Sequence, residues 1–99
     1  MNIQAEIHCE YDCVERLDEV KDYFDTQIHD FETSSIQEEE AFRIDNFGYD
    51  ERSGMFSASM VYYDLDGSLD YELFEEKAKD FEQIEDNVNF FIEDLCEEV

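Results

Sequence analysis

An α+β domain of order β-α-β-β-α follows from three features of this 99-residue chain. Apolar and polar residues alternate over Asn2 to Glu10; two longer stretches carry apolar residues at spacings of three and four; and two aromatic-rich runs flank a glycine-bearing turn. The simplest assembly is a small, mostly antiparallel three-stranded sheet with both amphipathic helices on one face, a single domain over residues 1–99.

In the first strand, β1, Ile3, Ala5, Ile7 and Cys9 share one face and Gln4, Glu6, His8 and Glu10 the other, the period-two signature of a half-buried strand. Asp12 with Glu15 three residues on predicts a helix N-terminus in the manner of a capping box. Val14, Leu17, Val20, Phe24, Ile28 and Phe31 then gather, at 100° per residue, into one stripe of α1. The same arithmetic places Asp12, Glu15, Asp18, Glu19, Asp22, Asp25 and Asp30 away from that stripe. Thr33 to Glu40 is polar and aperiodic and predicts a loop.

Ala41 to Tyr49 and Met55 to Leu65 predict strands β2 and β3, joined through Asp50-Glu51-Arg52-Ser53-Gly54. In β3, Phe56, Ala58, Met60 and Tyr62 form the expected core face, and Gly48 marks an expected bulge in β2. The outer sheet face is expected to stay partly open. After a turn at Asp66-Gly67-Ser68, Leu73, Phe74, Phe81, Ile84, Val88, Phe91, Ile92 and Leu95 keep helical spacing almost to Val99 and define α2. Asn87-Val88-Asn89 is weak helix-forming sequence, so a bend or break is expected there. If α2 runs straight, Phe90 faces away from the core and is free to meet a partner.

Charge bounds the function. The chain carries 30 Asp and Glu against 6 Lys and Arg, a formal net charge of -24. Such a polyanion repels nucleic acid and anionic membrane and attracts proteins whose surfaces are built to hold phosphates. Disorder is not the expected outcome, because 42% hydrophobic residues, including nine Phe and six Tyr, supply a core and proline is absent. Solubility of a small domain is served by a net charge of about 2–8 in magnitude. The excess costs stability through self-repulsion, so something other than solubility selects it.

No apolar run approaches the length of a membrane span and no basic-then-apolar leader occupies Met1 to Glu10, so a cytoplasmic protein is expected. The odd set Cys9, Cys13 and Cys96 agrees with reduced thiols. No cofactor, metal or catalytic residue is expected. Asp64-Leu65-Asp66-Gly67-Ser68-Leu69-Asp70 resembles part of a calcium loop, but aligning Gly67 with the turn glycine puts Tyr62 and Leu73 where carboxylates are required. Cys9, Cys13, His8 and His29 lack a second metal-ligand pair at finger spacing. Thirty acids guarantee close carboxylate pairs, which makes any one pair uninformative about hydrolysis. There is no phosphate-cradling glycine loop and no serine nucleophile motif, so an enzyme is not expected.

Carboxylates three and four residues apart on a helix lie about 5–6 Å from one another, comparable with the step between phosphates along a strand. Asp18, Glu19, Asp22 and Asp25 on α1, with Glu75, Glu82, Asp86 and Glu93 on α2, are the expected partner-binding residues. In length, charge and acid-rich aromatic helices the whole chain resembles the phage-encoded DNA-mimic inhibitors, of anti-restriction and anti-CRISPR type. That resemblance is compositional and carries over no individual residue. It implies occlusion of a basic DNA- or RNA-binding protein or nuclease complex, with no direct contact to nucleic acid or membrane. An immunity protein or antitoxin neutralising a basic nuclease has the same electrostatics. A calcium-buffering module, an acidic chaperone for histone-like proteins and a halophilic surface are the remaining alternatives. A homodimer through the open sheet face, Phe90 or surface tyrosines is a further expectation.

Overall fold

The computed structural model describes residues 2–11, 15–64, 67 and 69–97. The order is β1 (Asn2–Glu10), α1 (Leu17–Phe31), a π-helical turn (Glu32–Ile36), β2 (Phe42–Asp50), β3 (Met55–Tyr63) and α2 (Tyr71–Glu97). The three strands form an antiparallel sheet in the order β1-β3-β2. β3 lies at the centre, paired on both edges, and is buried on both sides: Phe56, Ala58, Met60 and Tyr62 lie beneath the helices, and Ser59 and Val61 are buried on the opposite face.

Register puts Ile3 opposite Tyr62, Ala5 opposite Met60, Ile7 opposite Ala58 and Cys9 opposite Phe56, so the alternation expected of β1 meets the core face of β3 without slippage. The bulge expected at Gly48 falls just before it, at Asn46 and Phe47: Asp45 faces Ser59 but Gly48 faces Ser57, leaving one extra residue in β2. Asn46 absorbs the kink at φ 54°, a left-handed conformation that asparagine tolerates better than most. In the hairpin Gly54 stands at φ 69° and its N–H reaches the Asp50 carbonyl.

Both helices lie on the same sheet face. The Phe24 ring of α1 meets Phe56 at 5.2 Å, and the Phe74 ring of α2 meets Tyr62 at 6.2 Å. They run antiparallel, because the ring contact of Tyr23 with Phe91, the amide bond from Asn87 to Gln27 and the ring contact of Phe31 with Phe81 ascend α1 while descending α2. Core rings are interlocked: Phe24, Phe56 and Phe81 are among the largest fully buried side chains.

Three expectations are revised. α1 begins at Leu17 rather than at Asp12; Arg16 adopts a left-handed conformation at φ 60° and its carbonyl accepts the N–H groups of Glu19 and Val20. Asp12, Cys13 and Val14 lie outside the described residues. Of the loop expected over Thr33 to Glu40, Gln37 to Glu40 is non-helical as expected, but the first part instead continues the helix, through Glu32–Ile36. There the hydroxyls of Thr33 and Ser34 donate back to the carbonyls of His29 and Asp30, which suits a widened turn, and buried Ile36 anchors it. α2 is continuous over 27 residues. Asn87 is held in place because its amide donates to Gln27 and its oxygen accepts from Gln83, while Val88 is fully buried.

The outer sheet face is partly open, as expected, with Gln4, Glu6, His8 and Arg43 exposed, and it is polar. Glu6 accepts hydrogen bonds from Gln4 and Ser59, the Tyr63 hydroxyl donates to Asp45 at 3.1 Å, and the Arg43 guanidinium stands 5.5 Å from the Tyr63 ring.

Cys9 is buried and its thiol donates to the Glu85 carbonyl; burial first, then the charges of Glu85 and Asp86, push its pKa up to about 12. Cys96 is exposed. Peptide-resolved alkylation at pH 8 is therefore expected to modify Cys96 within minutes and Cys9 only on unfolding. Equal rates at the two thiols would show that the β1–α2 contact opens readily. Since an unfolded thiol ionises near pH 9 and the folded Cys9 does not, this group's stabilising contribution is present below pH 9 and falls away as pH rises toward 12.

Candidate functional site: the acidic helical faces

Each of the eight expected partner-binding carboxylates is on a helix and exposed. The apolar stripes decide this: burying Val20, Phe24, Ile28 and Phe31 of α1, and Phe81, Ile84, Val88 and Leu95 of α2, turns the other side of each helix to solvent. On α2, Glu75, Glu82, Asp86 and Glu93 fall within an arc of about 40° and extend roughly 27 Å at the ordinary helical rise. On α1, the span from Asp18 to Asp25 is about 10 Å. With the helices packed side by side on one sheet face, the two rows belong to the same outward layer of the molecule.

The rows differ electrostatically. Arg16 forms an ion pair with Glu19, and that hydrogen bond holds the Glu19 carboxyl below its usual range. Asp25 is pushed upward, by partial burial first and by Asp22 one turn away second, with Lys21 opposing. On α2, Lys79 shares a recess of about 400 Å³ with Glu6, Glu82, Gln83, Glu85 and Asp86. Other cations are drawn elsewhere: Lys21 sits 5.2 Å from the centre of the Tyr49 ring, Arg43 lies over Tyr63, and Lys77 donates to the Ser35 carbonyl. Three of the six Lys and Arg are thus spent on rings and a carbonyl, and with 30 Asp and Glu in the chain most carboxylates have no cation of their own.

Comparison with protein-family models, curated proteins and solved structures finds no match to this chain.

Two carboxylates outside the expected rows do structural work. Glu85 accepts the His8 N–H at 2.9 Å, so α2 covers part of the free edge of β1. Glu6 organises the outer sheet face, as described above. Neither role is visible in the linear pattern, where both are acids among thirty. In the segment resembling a calcium loop, Asp64 accepts the Gly67 N–H and Asp70 caps α2 by accepting the Leu73 N–H at 3.1 Å. These carboxylates serve a turn and a helix start; Leu65, Asp66 and Ser68 lie outside the described residues. Among the described residues no helix is long and apolar enough to cross a membrane.

Like charge at this density predicts a domain stabilised by salt. Between about 20 mM and 500 mM NaCl, where screening shortens from tens of ångströms to a few, the melting temperature is expected to rise by about 5–10 °C, the shift that 1–2 kcal/mol makes in a domain of this size. Circular dichroism melts at several salt concentrations check this, and a flat or falling trend would mean that the rows are not in mutual repulsion.

Proposed function

We propose that this protein is a nucleic-acid mimic: an acidic inhibitor of anti-CRISPR or anti-restriction type. Acting in the cytoplasm of a host cell, it occupies the phosphate-gripping surface of a defence or nucleic-acid-processing protein. The observation that carries this reading is the density of charge on a rigid, elongated body. The molecule measures 51 × 24 × 17 Å, and 51 Å shared among 24 net charges is one per ~2.1 Å of long axis. Duplex DNA carries one per about 1.7 Å.

Rigidity matters as much as density. A flexible acidic tail loses conformational entropy on binding, whereas carboxylates mounted on two helices locked by the Tyr23–Phe91 and Phe31–Phe81 ring contacts are ordered beforehand. Lysine and arginine side chains spaced to meet phosphates then meet Asp18, Asp22 and Asp25 of α1 and the α2 row, and the inhibitor blocks access by competition. No covalent chemistry is required of it.

The test is affinity capture from bacterial lysate at physiological and at high salt, with duplex DNA or RNA as competitor. A dominant nucleic-acid-binding protein that resists salt and is displaced by nucleic acid supports mimicry. Recovery of a nuclease toxin as that target would recast the protein as its immunity partner. A diffuse set of basic proteins lost at high salt would overturn the proposal.

A further inference from the structure

Phe90 is 65% exposed, ahead of Tyr71 at 57% and Phe47 at 44%, the other large hydrophobic side chains exposed among the described residues. Phe47 is tied to the core by stacking on Phe24 at 5.5 Å. Phe90 has no ring partner among the described residues. Because α2 is continuous, Asp86 lies one turn before it and Glu93 and Asp94 one turn after. Asp86, Asn89, Phe90 and Glu93 line a shallow recess of about 190 Å³.

A single exposed aromatic ring is ordinary on a protein surface. What distinguishes Phe90 is that its neighbours within a turn are carboxylates on the face already assigned to partner binding. An anionic ligand is repelled there. A purely apolar partner strips water from Asp86 and Glu93 with nothing in exchange. A second copy of this chain brings two acidic faces together. An ammonium group gains from the carboxylates and can lie over a ring, as Lys21 does over Tyr49, but it is more strongly hydrated and cannot stack flat on the ring. A guanidinium uses both, since it is planar and weakly hydrated, stacks on an aromatic face and directs its N–H fork at carboxylate oxygens.

We infer that Phe90, with Asp86 and Glu93, is the seat for an arginine side chain of the basic partner and gives the acidic surface a preference for arginine over lysine. This rests on the mimicry reading and adds to it a point of discrimination that charge alone does not supply.

The experiment uses the full chain at physiological salt and two synthetic probes, an all-lysine peptide and the same peptide with its central lysine replaced by arginine. The arginine peptide is expected to bind about two- to five-fold tighter, as one exposed stacking contact provides. Phe90→Ala is expected to abolish that difference, with a smaller loss for the all-lysine peptide than for the arginine peptide, and Phe90→Tyr to preserve it. Asp86→Asn with Glu93→Gln is expected to weaken both peptides.

Equal binding of the two peptides by the unsubstituted protein, or a preference that survives Phe90→Ala, overturns the arginine seat and leaves the basic-partner reading standing. Failure to bind either peptide at physiological salt removes both. A concentration-dependent dimer in sedimentation that disappears in Phe90→Ala would assign the ring to a second copy and also overturn the proposal.

Discussion

Replacing Phe24 by alanine is expected to remove about 3–5 kcal/mol of stability and to leave the domain largely unfolded at low salt. Phe24 is 1% exposed and its ring touches both Phe56 of β3 and Phe47 of the bulged β2. Its loss costs the transfer energy of the ring and leaves a cavity where helix and two strands meet, which the stiff neighbouring rings of Tyr49 and Phe56 cannot close by collapsing. A small domain has only about 5–15 kcal/mol in total, and self-repulsion among the carboxylates lowers this one within that range. Urea titration at two salt concentrations measures the effect. Phe90→Ala is the companion variant: its exposed ring predicts a change within about 0.5 kcal/mol. If Phe24→Ala behaved like Phe90→Ala, α1 would not be seated on the sheet as described.

Neutralising the α2 row is expected to change binding and stability in opposite directions. In Glu75→Gln, Glu82→Gln, Asp86→Asn and Glu93→Gln together, four partly solvated charge pairs with the target are lost. At about 0.2–1 kcal/mol each they amount to about 1–4 kcal/mol, a complex roughly 5- to several-hundred-fold weaker. The free protein gains modestly, because Glu82 repels Asp86 at i,i+4 and Glu85 at i,i+3 and Glu75 repels Glu72, while the lost attraction of Lys79 for Glu75 and Glu82 takes back part of that relief; at a few tenths of a kcal/mol per pair the net gain is about 0.5 kcal/mol or less. A variant that binds less well while melting higher is the mark of carboxylates kept for a partner rather than for the fold. Affinity for the captured target and thermal melts together read both effects. The corresponding variant of Asp18, Glu19, Asp22 and Asp25 is expected to gain less stability, since Glu19 loses its bond to Arg16. Unchanged affinity in both variants would remove these rows from the interface.

Glu85 shows how one residue type takes different parts. It is an acid on the helix of the α2 row, yet it is half-buried and bonded to the His8 N–H, so Glu85→Gln keeps the acceptor whereas Glu85→Ala leaves a strand edge uncovered.

The alternation of Ile3, Ala5, Ile7 and Cys9, the three-and-four spacing of Val20, Phe24, Ile28 and Phe31, and the parity of Phe56, Ala58, Met60 and Tyr62 were legible in the chain. In each case the repeat of the backbone forces residues at that spacing onto one face, and burial of that face follows from its chemistry. The order β-α-β-β-α and the exposure of the two carboxylate rows are consequences of the same local rule, whereas the bulge before Gly48 interrupts it and was signalled by the glycine alone. What the chain could not express is which faces meet. The central place of β3, the antiparallel packing of α1 on α2 through Tyr23 and Phe91, the covering of the β1 edge by Glu85 and the polar network around Glu6 all depend on residues tens of positions apart. The same holds where tertiary packing overrode local preference: Asn87 remains helical because Gln27 receives its amide and Val88 is buried, and Ile36 holds a polar segment in a π turn. Periodicity sets the direction a side chain points; only the assembled fold decides what it finds there, because that depends on the summed burial and hydrogen bonding of elements remote in sequence.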